Sequence, residues 1–188
     1  MLHPEAIPLS SAGEASLLNP ASPLARLLAA PMRPGQVIWI GLRPARRQPL
    51  LPVTHAELDP VNGLAGDHGT SRTRQVTLIQ QEHLTAIAAY LGLAPIDPAL
   101  LRRNILVRGI NLHALKDRAF HLGSARLIAT GACHPCSRME ELLGPGGYNA
   151  VRFHGGITAR VLAAGHVRIG DAIHVDNLLD GEIKPAPP

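Results

Sequence analysis

The chain has 188 residues, 46% of them hydrophobic, which suits one domain with a tail and excludes wholesale disorder. No apolar run approaches the roughly 20 residues of a membrane span, and residues 1–14 lack the basic leader and apolar block of a secretory signal, so a cytoplasmic address is expected. The net charge of +4 and the pI near 9.7 rest on arginine, Lys116 and Lys184 being the only lysines; that favours bidentate capture of phosphate or carboxylate, while the lack of a long basic run or an aromatic platform argues against nucleic acid.

Residues 1–35 are rich in Pro, Ser and Ala and read as a loosely ordered extension. Leu24–Ala30 suits a short helix that Pro31 and Pro34 stop. The domain proper is expected over 36–176. It opens with a buried strand at Gln36–Leu42, followed by a Pro- and Arg-rich loop from Arg43 to Pro49 and a second strand at Leu51–Leu58. Asp59-Pro60-Val61-Asn62-Gly63 is turn chemistry and leads into the glycine-rich loop Gly63–Gly69.

Gln75–Ile79 reads as a strand. Over Gln80–Leu91 the spacing of Leu84, Ile87, Ala88 and Leu91 predicts an amphipathic helix, with Gly92 as its C-terminal cap. Asp97 suits the cap of a short helix over Pro98–Arg103, and Asn104–Arg108 returns to strand. Further strands are expected at Ala119–Leu122, Arg126–Thr130, Thr158–Ala163 and Ala172–Val175. Leu122–Ile128 echoes Ile169–Val175, and both read as strand, tight turn, strand. Many short strands with glycine turns and few helices predict a mostly-β fold, a closed barrel with small helical additions. After Asp176 the chain turns polar, and 177–188 reads as a frayed tail.

The two cysteines form one Cys-x-x-Cys, Cys133-His134-Pro135-Cys136. Two cysteines make no disulfide framework. The strand at Arg126–Thr130 and the helical character of Ser137–Leu143 put Cys136 near a helix N-terminus, where free N–H groups favour a thiolate and Arg138 adds positive field. Such a thiolate can ligate a soft metal, attack an electrophile or carry sulfur. From the residues alone, three readings stay open. A structural zinc site normally wants four ligands, and no second Cys-x-x-Cys or paired His-x₃-His exists. A thioredoxin-like redox pair fits the strand-then-helix context, but such pairs lie early in α/β chains. Two small packed cysteines in a turn are the third.

Several segments together resemble the MOSC domain, named from the C-terminal domain of molybdenum-cofactor sulfurases. They are Gly63-Leu64-Ala65-Gly66-Asp67-His68, Arg74–Ile79, Leu101–Ile110 with its Arg-Arg-Asn, Cys133–Cys136, His154–Val161 and Ile169-Gly170-Asp171. They fall in the family's order and span about residues 36–175. The resemblance implies a closed barrel and bound molybdenum cofactor, a molybdopterin, with Cys136 as the molybdenum ligand or persulfide carrier. It implies phosphate and pterin contacts from Arg74, Arg102, Arg103, Asn104 and Arg138, with Arg152 and Arg160 next. Gly155 and Gly156 would let backbone N–H groups approach the ligand. His68 would orient substrate or donate a proton, or else is a hydrogen-bonded structural histidine, and Asp67 reads equally as a turn residue making an Asx bond. His134 would tune the thiolate. The chain has no room for a pyridoxal-phosphate domain of its own. Two functions follow: an oxidoreductase acting on small N-hydroxylated compounds with a separate electron-transfer protein, or a carrier handing cofactor or sulfur to an accepting enzyme.

Overall fold

The computed structural model describes residue 19, residues 21–69 and residues 71–176. The tail expected at 177–188 and most of the extension expected at 1–35 lie outside the described residues. The chain divides between Pro31 and Met32. The first unit carries helix α1 (Pro23–Ala29), where Ser22 Oγ accepts from Ala25 N and a proline opens the first turn. The helix stops before Pro31 and buries none of its residues.

The second unit follows the period-two and apolar patterns of the sequence. Its elements are β1 (Gly35–Leu42), β2 (Leu51–Val53), β3 (His55–Asp59), β4 (Gly63–Leu64), β5 (Val76–Gln80), α2 (Gln81–Leu91), β6 (Ile105–Arg108), β7 (Ala119–Leu122) and β8 (Ala125–Ala132). Then come α3 (Arg138–Leu143), α4 (Gly147–Val151), β9 (Ile157–Ala163), β10 (Gly165–Arg168) and β11 (Ala172–Val175). Two 3₁₀ turns lie at Pro98–Leu101 and Leu112–Leu115.

Seven strands run in the order β11-β7-β8-β9-β5-β6-β1, and pairing of β11 with β1 closes them into a barrel. The strand β2 adds to β1, and β10-β3-β4 form a small second sheet. Alternation on β8 sends Ala125, Leu127 and Ala129 inward, to Val37, Ile40, Leu78 and Phe120. The strand β5 is buried along its whole length. Val76 and Leu78 face the barrel core, whereas Ile79 packs with Leu84 and Ile87 of α2. The helix is needed there because β5 and β6 are parallel and require a crossover. Gly92 adopts the left-handed cap expected of it, and the Asp97 carboxylate accepts from Ala99 N.

Two expectations are corrected. The strand expected over Leu51–Leu58 breaks at Thr54, so β2 extends the barrel sheet while β3 belongs to the small one. The echoed segments also differ. Leu122 pairs with Ala125 across a two-residue turn, a true hairpin. The strand β10 instead pairs with β3, and β11 with β7 and β1, so Gly170-Asp171 carries the chain between sheets. Similar turn chemistry permits both, and the partner strands decide. Among the described residues no helix is long and apolar enough to cross a membrane.

Candidate functional site

The segment from Cys133 to Ser137 links β8 to α3. Cys133 N donates to Gly156 O at 2.8 Å and Met139 N to Cys136 O at 2.9 Å. These bonds bury Cys133, at 5% exposure, and leave Cys136 exposed; both thiols are free. Cys136 stands where two clefts meet. One, of about 330 Å³, is lined by Arg43, Arg46, Arg47, His68, Arg102 and Arg138. The other, of about 450 Å³, is lined by Arg74, His134, Thr130 and Thr158.

Beneath the first cleft lies a buried polar frame. Asp67 has a fully buried side chain, and Arg43 grips it with Nε to Oδ1 at 2.9 Å and Nη2 to Oδ2 at 2.6 Å. Arg43 N, Gly69 N and Asn104 Nδ2 also donate to this carboxylate. Burial alone would raise the Asp67 pKa, but the bonds and charge of Arg43, with the backbone donors, hold it below the usual carboxylate value. Asp67 is thus both the turn residue of Gly63–Gly69 and the anchor of Arg43.

Asn104 is completely buried, and all four of its amide hydrogen-bond positions are used. It donates to Gly41 O and Asp67 Oδ1, and accepts from Thr77 N and Thr77 Oγ1. The expectation that Asn104 contacts a pterin edge is therefore corrected: no donor remains for a ligand, and its part is to hold Asp67.

Arg103 also belongs to the frame. It is 8% exposed and gives Nε to Gly155 O at 2.7 Å, Nη1 to Leu101 O at 2.6 Å and Nη2 to Cys133 O at 3.5 Å. Only neutral carbonyls hold this guanidinium. Burial lowers its pKa, and the nearby thiols of Cys133 and Cys136 oppose that. Arg103 acts on the cysteine segment by position and charge, not as an open ligand contact.

Gly155 and Gly156 are buried, and the packing explains them. A Cβ on Gly155 would sit 2.1 Å from Cys133 O, and one on Gly156 would sit 1.9 Å from Leu78 O. Gly156 also holds φ at +82°. Close approach of the cysteine segment and of β5 thus requires glycine at both positions.

The remaining expected residues line the clefts. Arg102 is half-buried in a left-handed turn, with Nη1 donating to Gln48 O. Burial, then the charges of Arg138 and Arg43, lower its pKa against the pull of Asp67. Arg138 is half-buried, and its Nε is buried with no partner. His68 is exposed and Nδ1 donates to Arg43 O at 3.0 Å, which leaves Nε2 as the free acceptor of the neutral ring. Arg74 is exposed, with Nη2 4.0 Å from Cys133 Sγ. Arg152 lies elsewhere, over the Phe153 ring at 5.7 Å, and Arg160 is exposed on β9 outside both clefts.

Arg43, Arg46 and Arg47 were not among the expected site residues. Their signal was present as an arginine-rich stretch directly after a buried strand, but sequence spacing alone does not place it beside a cysteine 90 residues on. Among the described residues, no group of three or more His, Cys, Asp or Glu side chains is arranged to hold a metal ion. The zinc reading therefore has no protein-only ligand set there, and a closed, largely antiparallel barrel with a single crossover helix is not the α/β setting of a thioredoxin-like pair.

Fold and site together define a β-barrel protein that presents one accessible thiol beside a cationic cleft. The MOSC domain family model matches residues 65–174, more than half of the chain, and the chain belongs to the MOSC domain family, which is associated with the molybdenum cofactor. The fold is similar to that of the YUAD protein of Bacillus subtilis, with a TM-score of 0.68 at 19% identity over 76% of this chain and 96% of that one. It is also similar to YiiM from Geobacillus stearothermophilus, with a TM-score of 0.62 at 16% identity over 75% and 74%. YiiM from Escherichia coli gives 0.59 at 16% identity over 78% and 72%. No curated protein sequence matches the chain.

Proposed function

We propose that this protein binds a molybdenum–pyranopterin cofactor through Cys136 and reduces small N-hydroxylated compounds. The observation that carries the reading is the exposure of Cys136 between two clefts while Cys133 is buried. A thiolate is a soft ligand suited to this metal, and the cofactor would supply a metal centre able to take oxygen from the substrate. The donor set fits. Arg46, Arg47, Arg102 and Arg138 offer charge for a terminal phosphate. The unpartnered Arg138 Nε is a donor in want of an acceptor.

The chain's own residues divide the work. Asp67 holds Arg43 in place, and Asn104 holds Asp67. Arg103 fixes the cysteine segment and sets positive charge behind it. The cleft with Arg74 and His134 is left for the substrate. His68, with Nε2 free, is placed to carry a proton into the first cleft. The overall conversion of a hydroxylamine to an amine consumes two electrons and two protons and releases water. A separate redox protein would deliver the electrons.

Metal and pterin analysis tests this. Full-length protein from a cofactor-competent host is expected to carry molybdenum and pterin, and Cys136→Ser to lose the metal. A wild type free of both, or full retention in Cys136→Ser, defeats the reading. The exposure of Cys136 and of His68, Arg46 and Arg47 around it favours a second reading, a carrier that hands its cofactor to an accepting enzyme. Transfer to an apo-enzyme without hydroxylamine reduction would select it.

A further inference from the structure

The second cleft beside Cys136 differs in charge from the first. The first is lined by five arginines and also by Glu141. The second holds one arginine, Arg74, and no Asp or Glu lines it. Arg74 stands two residues before β5, and its side chain reaches the cysteine segment, with Nη2 4.0 Å from Cys133 Sγ. Among the described residues no carboxylate pairs with it. A guanidinium has five N–H donors, and a thiol sulfur is a weak acceptor for one of them. The others are left for a ligand.

The threonines of this cleft have less to give. Thr130 Oγ1 donates to Thr73 O at 2.6 Å. Thr158 Oγ1 lies 2.9 Å from Thr130 Oγ1 and 3.3 Å from Gly131 O, so its proton goes to one of those two. Both hydroxyl protons are thus spent within the wall. Arg103, behind the same segment, spends its donors on the carbonyls of Gly155, Leu101 and Cys133. Of the side chains that line the cleft, Arg74 alone carries a permanent charge.

We propose that Arg74 makes this cleft a carboxylate site, so that the substrates are N-hydroxylated compounds that carry a carboxylate. A guanidinium takes a carboxylate through two parallel N–H···O bonds. One cation matches one negative charge, whereas a phosphate falls to the five arginines of the first cleft. Cys136 lines both clefts, so a molecule held by Arg74 lies beside the thiol. With no acid in the wall, the same cleft disfavours a cationic compound. The substrate class rests on the reductase reading above; the carboxylate site does not.

Two alkylating reagents test the site without any cofactor. Iodoacetate and iodoacetamide are nearly equal in size and lose the same iodide, but only the first carries a carboxylate. Both meet the same Cys136 thiolate, so their rate ratio cancels its ionisation. Fragment mass spectrometry of the full-length protein reads that ratio at Cys136. Arg74→Gln is expected to lower the iodoacetate-to-iodoacetamide ratio about fivefold, the worth of one nearby charge at a solvated site. Arg74→Lys should restore most of it. Arg152→Gln, which removes the same charge outside both clefts, should leave it in place. An unchanged ratio in Arg74→Gln overturns the proposal. So does an equal fall in Arg152→Gln, which would trace the effect to net charge. Should Arg74→Gln fail to fold, Arg74→Met, which keeps the apolar stem, takes its place.

The substrate class is read on protein from a cofactor-competent host. Reduction of 4-carboxyphenylhydroxylamine should exceed that of phenylhydroxylamine about tenfold in kcat/KM, chiefly through KM, as two charge-assisted hydrogen bonds allow. Arg74→Gln should remove most of that preference. Equal kcat/KM values for the two compounds in the wild type refute the substrate class. If neither compound is reduced, the reductase reading fails, and the alkylation ratio still decides whether the cleft takes a carboxylate.

Discussion

Replacing Asp67 by Asn changes one oxygen and tests the frame under the cationic cleft. The carboxylate is wholly buried and accepts from five donor atoms on Arg43, Gly69 and Asn104. Asn keeps an acceptor for Arg43 N and Asn104, but turns a donor toward Gly69 N and Arg43 Nη2. It also leaves the Arg43 guanidinium without its counter-charge. Removing one partner of a buried pair costs about 3–5 kcal/mol. The Arg43 side chain is 15% exposed and can draw on water from the cleft, which puts the loss at the lower end, about 3 kcal/mol. For a domain of this size that is a fall in Tm of roughly 6–12 °C, read by circular dichroism at pH 7. The carboxyl pKa lies below its ordinary value, so the wild type holds this contribution fully above about pH 4 and loses it as pH falls through the lowered value. The gap between wild type and variant should therefore persist from pH 8 to pH 5 and close in stronger acid. A gap under about 2 °C at pH 7 would refute the assignment, as would one that is no smaller at pH 2.5.

Two further substitutions probe the clasp on the cysteine segment. Gly156→Ala would drive a Cβ to 1.9 Å from Leu78 O at a positive φ, so β5 must move; a loss above about 4 kcal/mol is expected by chemical denaturation. Gly92→Ala, left-handed but with nothing within 4 Å, should cost only about 1–2 kcal/mol, and equal losses at the two sites would remove the packing argument. Arg103→Lys keeps the charge but not the fork across Gly155, Leu101 and Cys133. Urea unfolding should show a loss of about 2–3 kcal/mol, and a change below about 0.5 kcal/mol would mean the fork is unimportant.

The roles of Asn104, Arg103, Gly155 and Gly156 show where sequence reasoning reaches its limit. Each stood in a segment that carries the family resemblance, and each lies at the site. Their neighbourhood was legible, their duty was not. A motif names residue types, and a buried strut and a ligand contact draw on the same types. Asn104 differs from a ligand donor only in that Gly41, Asp67 and Thr77 already use its amide, and those partners lie up to 63 positions away in the chain. The small elements were lost for a related reason. The four-residue β10 and the five-residue α4 are too short for a hydrophobic period to register, and β10 exists because β3 offers it an edge.

Sequence by itself determined the strands of the barrel, the crossover helix with its Gly92 cap, the family and the cysteine pair. All are local signals: apolar period, turn chemistry and short motifs, written within a dozen residues. Only the tertiary structure decided which cysteine is open. Sequence set Cys136 nearer the following helix but said nothing of burial: Gly156 O and Arg103 reach the backbone of Cys133 and bury it, while Cys136 is left exposed between two clefts. It likewise brought Arg43 to Asp67. Burial and hydrogen-bond partnership depend on how distant segments close on one another, and that closure is a property of the folded barrel.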